Sequence, residues 1–258
     1  MRIPASFATV LVALVAFTAG ATPARAQSPS APPVPAVPSS EIPSVVQLFT
    51  GTVRDFKKLP TLDNLGWLAA GGVLSLATHE VDDRSTRLLA GNDSLREPFK
   101  AGAVLGGTPF ELGAALAAYG AGRAFKHDRL ALLGADLVRA QLMAEALAIG
   151  VKQTTRRDRP SGSGFSFPSG HTTATFAAAT VLQRHFGWKV GIPAYAAASY
   201  VGASRIQNRR HYLSDVTFGA ALGVIAGRTT TLGRQRAFTI SPVVSRDTTG
   251  VLVRWDRP

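Results

Sequence analysis

The 258-residue chain contains no cysteine. Disulfides and thiolate metal sites are therefore both excluded, and a fold exported to an oxidising compartment would rely on packing alone. Acidic residues are few: 16 Asp and Glu stand against 28 Lys and Arg, a formal charge of +12. That balance favours anionic partners such as phosphate esters, anionic lipid surfaces or nucleic acid, though it also serves simple solubility. Long apolar runs are missing beyond the N-terminus. A spanning helix needs about 20 mostly apolar residues. Here Asp136, Arg139 and Glu145 interrupt one candidate helix, and Pro109 and Glu111 another. Each charge at mid-membrane costs at least ~2.5 kcal/mol on insertion scales. The pattern favours a soluble or peripherally attached domain over a lipid-exposed bundle, unless those charges face inward.

What the chain does have is Ala and Gly among 46% hydrophobic residues. Ala favours helix because it loses no side-chain entropy on helix formation. Helical patterning is read over 62–78, 99–122, 128–152, 171–186, 190–204 and 211–228, with an irregular polar loop from Asp82 to Pro98. A short amphipathic helix is expected between Val45 and Pro60, with Arg54, Asp55, Lys57 and Lys58 facing water. The tail changes character: Ala237–Val244 and Val251–Trp255 are β-like around a turn at Arg246–Gly250. The fold class read here is all-α, a bundle of about six core helices with a C-terminal β-hairpin.

At the N-terminus, Arg2, the apolar stretch Phe7–Ala19 and Ala24-Arg25-Ala26 form a signal-peptide pattern, with an uncleaved anchor as the alternative. Residues 1–26 are thus assigned to a signal peptide and 27–44 to a disordered Pro-rich linker. The helical domain is assigned to 45–236 and the hairpin to 237–258. The expected location is periplasmic or otherwise outside the cytoplasm.

Three clusters carry chemistry. The first, Lys152 to Pro160, brackets Arg156 and Arg157 between Lys152 and Arg159. Lysine offers a compact point charge and arginine a planar fork suited to phosphate oxygens. A basic helix end that complements the helix dipole is the plainer reading. The proline would end the helix, because the residue before it, Arg159, is pushed out of the helical region. The second, Pro168-Ser169-Gly170-His171, reads as a capped helix N-terminus whose free amides face an anion, with His171 in the first turn. The third runs from Ser204-Arg205 to His211 and Asp215. A four-residue spacing places His211 and Asp215 on one helix face, where an Asp accepting from one ring nitrogen leaves the other as an outward lone pair. An exposed ion pair would show the same spacing. Elsewhere, His79, Glu80, Asp82 and Asp83 resemble metal ligands but read more simply as solvated loop residues. His127 and His185 are given no role.

Taken in order, these clusters match the three-part signature of the type-2 phosphatidic acid phosphatase and vanadium haloperoxidase superfamily. Lys152, Arg159, Pro160, Pro168, Ser169, Gly170, His171, Ser204, Arg205, His211 and Asp215 are all present. Six residues separate Lys152 from Arg159, and five separate Arg205 from His211. The resemblance implies a metal-independent phosphoric ester hydrolase with no cofactor. By that resemblance Lys152, Arg159, Arg205, Ser169 and the Gly170 amide would bind phosphate. His211 would attack phosphorus and become a phosphohistidine, Asp215 would orient it, and His171 would protonate the leaving group. The implied partner is a phosphate ester, lipid-linked or small, with an anionic membrane surface as a second candidate and no nucleic acid. A vanadate-dependent haloperoxidase, a lipid-linked phosphotransferase and a non-catalytic binder of anionic lipid are the alternatives.

Overall fold

The computed structural model describes residues 42–162 and 164–232, together with the backbone of 239–244 and 249–254. The expected signal peptide, and the linker up to residue 41, lie outside the described residues. Nine α-helices are found among the described residues: α1 (Val45–Phe56), α2 (Leu62–His79), α3 (Asp82–Ala90), α4 (Arg96–Leu105), α5 (Thr108–Ala124), α6 (Asp128–Thr155), α7 (Gly170–Phe186), α8 (Trp188–Gln207) and α9 (Leu213–Thr230). A 3₁₀ turn, Asp93–Leu95, precedes α4. The all-α expectation holds for this region. Beyond it, Thr239–Val244 and Thr249–Arg254 pair antiparallel, Thr239 opposite Arg254. Residues 233–238 and 245–248 lie outside the described residues, so the expected hairpin and its place against the bundle stay an expectation.

Glycine spacing sets the arrangement of the central helices. Gly219, Gly223 and Gly227 recur every four residues on α9. A Cβ added to each would lie 2.8 Å from the Ser169 carbonyl oxygen, 2.4 Å from that of Thr173 and 2.7 Å from that of Ala177. Only glycine lets the two backbones meet this closely. Both series ascend, so α7 and α9 run parallel and their N-termini lie side by side. The Ser169 N–H accordingly donates to the Asp215 carbonyl at 3.0 Å. The long helix α6 packs against both, through Ala140, Met143 and Ala144 against Ala177, Val181 and Ala226. Helix α2 runs antiparallel to α9: Asn64 Nδ2 donates to Thr229 Oγ1 at 3.0 Å, and Ser75 Oγ donates to the Ser214 carbonyl at 2.9 Å. One end of the bundle therefore gathers the starts of α7 and α9.

Four expectations are corrected. The helix expected over 99–122 is two helices, α4 and α5, bent by 52°. Pro109 cannot sit mid-helix but is tolerated in a first turn, so the chain restarts after Gly106-Gly107. The loop expected from Asp82 to Pro98 contains α3, the 3₁₀ turn and the start of α4. Leu89 of α3 docks on Ile206, Leu213 and Val216, a tertiary contact that local polarity conceals. Asp55 of α1 does not face water. It is fully buried and accepts from Arg139 Nε at 2.8 Å and Lys58 Nζ at 2.8 Å. Arg139 also reaches Asp136, which pairs with His185 Nε2 at 2.9 Å. The fourth correction concerns α6, which ends four residues before Pro160's neighbour. Its stop is Arg156 in the left-handed region, φ 47°.

Much of the outer surface is apolar. Leu62, Leu65, Val73 and Leu76 form one exposed face of α2, and Phe110 and Leu116 project from α5. Among the described residues no single helix is long and apolar enough to cross a membrane, although the bent pair Asp93–Leu105 and Thr108–Ala124 has the combined length and composition.

Candidate active site

All three clusters converge at the end of the bundle where α7 and α9 begin. Ser169 caps α7. It is fully buried, and its Oγ accepts from Thr172 Oγ1 at 2.9 Å and from the Thr172 N–H at 3.5 Å. The hydroxyl proton is left to donate elsewhere. Gly170 opens α7 close to Lys152: a Cβ there would stand 4.0 Å from Lys152 Cε. The Lys152 ammonium, on the last turns of α6, donates to the carbonyls of Phe165 at 3.3 Å, Ser166 at 3.4 Å and Pro168. Burial, with Arg159 beside it, pulls Lys152 down to about 8.

Arg205, on the last turn of α8, is buried, and burial next to Arg210 and Arg159 lowers it to about 10. The Nε atoms of Arg159 and Arg205 are both buried without a hydrogen-bond partner among the described residues. Buried donors are almost always paired. Two such donors on guanidiniums close enough to repel each other mark a place shaped for an anion.

His171 follows in the first turn of α7. The Ala103 carbonyl of α4 accepts from its ring. Burial, then Arg205, His211 and Lys152, push its imidazole down to about 4, so it is neutral at pH 7 before an anion enters. Gly106, at the α4–α5 break, covers this histidine. A Cβ there would sit 2.4 Å from Val201 Cγ1 and 3.1 Å from His171 Cβ. The bend between α4 and α5 thus forms part of the wall around His171.

His211 and Asp215 do not share a helix face as the spacing suggested. His211 lies in the connection before α9, which starts at Leu213. The reason is local: Asp215 serves as a capping residue, its Oδ2 accepting from the Tyr212 N–H at 2.8 Å. That cap fixes the turn and leaves His211 outside the helix. Its Nδ1 lies 2.6 Å from the Ser166 carbonyl oxygen and 3.7 Å from Asp215 Oδ2. The ring proton therefore goes to Ser166, and Asp215 acts on the imidazole by its charge. With Nδ1 as donor, Nε2 keeps a lone pair. Burial holds the His211 imidazole below its ordinary value; Asp215 opposes that, while Lys152 and Arg205 reinforce it. Burial alone would raise the Asp215 carboxyl. The His211 ring, Ser166 Oγ, the Tyr212 N–H and Arg157 outweigh it and hold the group below the usual carboxylate range.

Several contributors are invisible in the motif spacing. Ser166 is fully buried, and its Oγ donates to Asp215 Oδ2 while its carbonyl holds His211. Arg157 Nη1 donates to Asp215 Oδ1 at 2.8 Å. Nothing local distinguishes Arg157 from its exposed neighbour Arg156. Asp82, read as a solvated loop residue, is buried and accepts from the Ser214 N–H at 2.8 Å and from Arg157 Nη2 at 2.9 Å. Glu80 and Asp83 are exposed, as expected.

The region that holds these residues is similar to known proteins. The PAP2 superfamily model matches residues 134–238. A lipid A 1-phosphatase of Porphyromonas gingivalis is 37% identical over 123 residues, covering 46% of this chain and 26% of that protein. A decaprenylphosphoryl-5-phosphoribose phosphatase of Mycobacterium tuberculosis is 36% identical over 108 residues, covering 37% of this chain and 59% of that protein. The matches thus span about a quarter and somewhat over half of these relatives' lengths. Among solved structures, a transmembrane PAP2-type phosphatidylglycerolphosphate phosphatase from Bacillus subtilis shares the fold with a TM-score of 0.53 at 22% identity, covering 72% of this chain and 93% of that one. LpxE of Aquifex aeolicus follows at a TM-score of 0.50 and 23% identity, covering 58% and 94%. The matched segment encloses every residue of the three clusters, and it is this segment that is similar to the PAP2 superfamily.

Proposed function

We propose that the protein hydrolyses phosphate esters, with lipid-linked phosphates as the preferred substrates, through a covalent intermediate on His211. The observation that carries this reading is the pair of unpartnered buried guanidinium nitrogens of Arg159 and Arg205 beside a histidine whose ring proton is already committed to a carbonyl. Phosphoryl transfer builds charge on the equatorial oxygens, and fixed cations stabilise it. Lys152, Arg159 and Arg205 supply three. The His211 Nε2 lone pair attacks phosphorus as the bond to the ester oxygen breaks. His171 gives its proton to that oxygen. In the second step neutral His171 takes a proton from water, the water oxygen attacks phosphorus and the P–N bond breaks, releasing phosphate and restoring His211.

The first step requires His171 as an imidazolium, whereas burial with Arg205, His211 and Lys152 keeps its imidazole neutral before an anion binds. A phosphate dianion reverses the influence of Arg205 and Lys152, so substrate itself charges the acid. Binding is then linked to proton uptake at neutral pH.

Two things favour a lipid-linked substrate. The relatives are named for lipid A and decaprenylphosphoryl substrates. The exposed apolar faces of α2 and α5 suit contact with a bilayer better than with water. An exported, membrane-associated protein is the location this reading requires.

The test measures phosphate release by the purified full chain in EDTA, from a soluble phosphomonoester and from a lipid phosphate dispersed in detergent. Faster release from the lipid is the expected result. Release only from the soluble ester would overturn the lipid preference. Release from neither, with peroxide-dependent halide oxidation after vanadate is added, would replace the hydrolase by the haloperoxidase reading.

A further inference from the structure

Outside the phosphate pocket, the bundle buries an Asp–Arg–Asp bridge that the mechanism above leaves unused. Asp82 is 3% exposed and Asp215 0%. One guanidinium joins them: Arg157 Nη2 donates to Asp82 Oδ2 at 2.9 Å, and Nη1 donates to Asp215 Oδ1 at 2.8 Å and Ser214 Oγ at 2.7 Å. The remaining acceptor sites are filled as well. The Ser214 N–H donates to Asp82 Oδ1 at 2.8 Å, and Ser214 Oγ donates to Asp82 Oδ2 at 2.5 Å. His79 Nδ1 lies 3.0 Å from the same Oδ2. The plane of the guanidinium is set by the Tyr212 ring, 4.1 Å from its central carbon. Burying two carboxylates is costly unless they are paired with good geometry, and removing one partner leaves a charge uncompensated. A lone helix-docking contact would not need both. The bridge ends on the carboxylate that stands 3.7 Å from His211.

We infer that Asp82 and Arg157 are positioning residues of this site: Asp82, on α3, holds Arg157, Arg157 locks the Asp215 carboxylate in place, and Asp215 transmits that constraint to His211 through Ser166, whose hydroxyl it holds and whose carbonyl takes the ring proton. The inference deepens the phosphatase reading and rests on it for its kinetic consequence. The geometry needs a planar fork. A lysine at 157 offers one nitrogen in place of the two that reach Asp82 and Asp215 separately. Neither residue faces the phosphate oxygens in this scheme, so substrate affinity is left to Lys152, Arg159 and Arg205. His211 is flanked by Lys152 from α6, Arg205 from α8 and Asp215 from α9, and the bridge governs the last of these.

The experiment compares Asp82→Asn and Arg157→Lys with wild type by steady-state kinetics and by nitrogen NMR of the His211 ring. Outer-shell partners that orient a reacting group are commonly worth about 10- to 100-fold in activity. Each variant is expected to lose kcat in that range with KM changed less than about threefold. In wild type, His211 should show one tautomer with the proton on Nδ1; each variant should add the second tautomer. Asp55→Asn, which breaks the buried pair with Arg139 elsewhere in the bundle, serves as the control: it should lower the unfolding temperature and leave both kcat per folded molecule and the tautomer unchanged. Folded variants at 82 and 157 with wild-type kcat and a single tautomer would overturn the inference, as would kcat losses matched by loss of folded protein. The NMR readout needs no turnover. If wild type hydrolyses no ester yet the tautomer still shifts, the phosphatase reading falls and the coupling stands.

Discussion

Replacing His211 by alanine abolishes phosphate release, by about a thousandfold or more, while binding of sulfate stays within a few-fold of wild type. The two halves of this expectation come from separate parts of the pocket. In the proposed mechanism the attacking lone pair is that of His211 Nε2, since the ring proton is fixed on Nδ1 by the Ser166 carbonyl. The loss of a covalent nucleophile removes the step itself. In the proposed site oxyanion affinity comes from Lys152, Arg159 and Arg205, which the substitution leaves in place. The fold should survive, because His211 lies outside the helices and its backbone N–H still donates to the Arg205 carbonyl at 3.3 Å. The variant is checked by phosphate release together with calorimetric titration of sulfate, whose own protonation lies far below neutral pH. Near-normal turnover would remove His211 from the mechanism.

The second large effect is on pH dependence. Burial and Arg159 lower Lys152 to about 8, so the free protein loses this cation as pH rises through that value. Since kcat/KM reports ionisations of the free enzyme, it should fall above about pH 8. A bound phosphate dianion pushes the ammonium back up, so kcat at saturating substrate should hold to higher pH than kcat/KM. Lys152→Arg should move the limb upward, because a guanidinium keeps its charge where an ammonium does not. Lys152→Ala should lower kcat and raise KM together. A charge-assisted hydrogen bond is worth about 1.5–3 kcal/mol, which corresponds to roughly 10- to 100-fold in kcat/KM. Rate profiles of the three proteins across neutral to alkaline pH decide the matter. A limb at the same pH in Lys152→Arg would assign it to another group.

Sequence was most informative where the rule is local. Helix α2 and the boundaries of α7 follow from periodicity and from Ser169 as a cap. The residues of the three clusters could be named because, taken in order, they resemble the three-part signature of a known superfamily. Sequence was least informative where a partner far along the chain decides. Asp55 and Asp82 look solvated beside their charged neighbours, yet Arg139 and Arg157 bury them from 84 and 75 residues away. The His211–Asp215 spacing suggested a shared helix face. The structure instead uses Asp215 to start α9, which places His211 against a carbonyl that no spacing rule marks. The break between α4 and α5 was missed in the helix expected over 99–122, although Gly106, Gly107 and Pro109 lie there, and its role in enclosing His171 depends on Val201, on another helix.

The central claim is that hydrolysis passes through a covalent phosphohistidine, and stereochemistry at phosphorus tests it most directly. A phosphate ester made chiral at phosphorus with oxygen isotopes would be hydrolysed by the full chain and the configuration of the product determined. Two successive in-line displacements, first by His211 and then by water, give net retention. Retention is the predicted result. Inversion would show that water attacks the ester directly and would contradict the assignment of His211 as nucleophile.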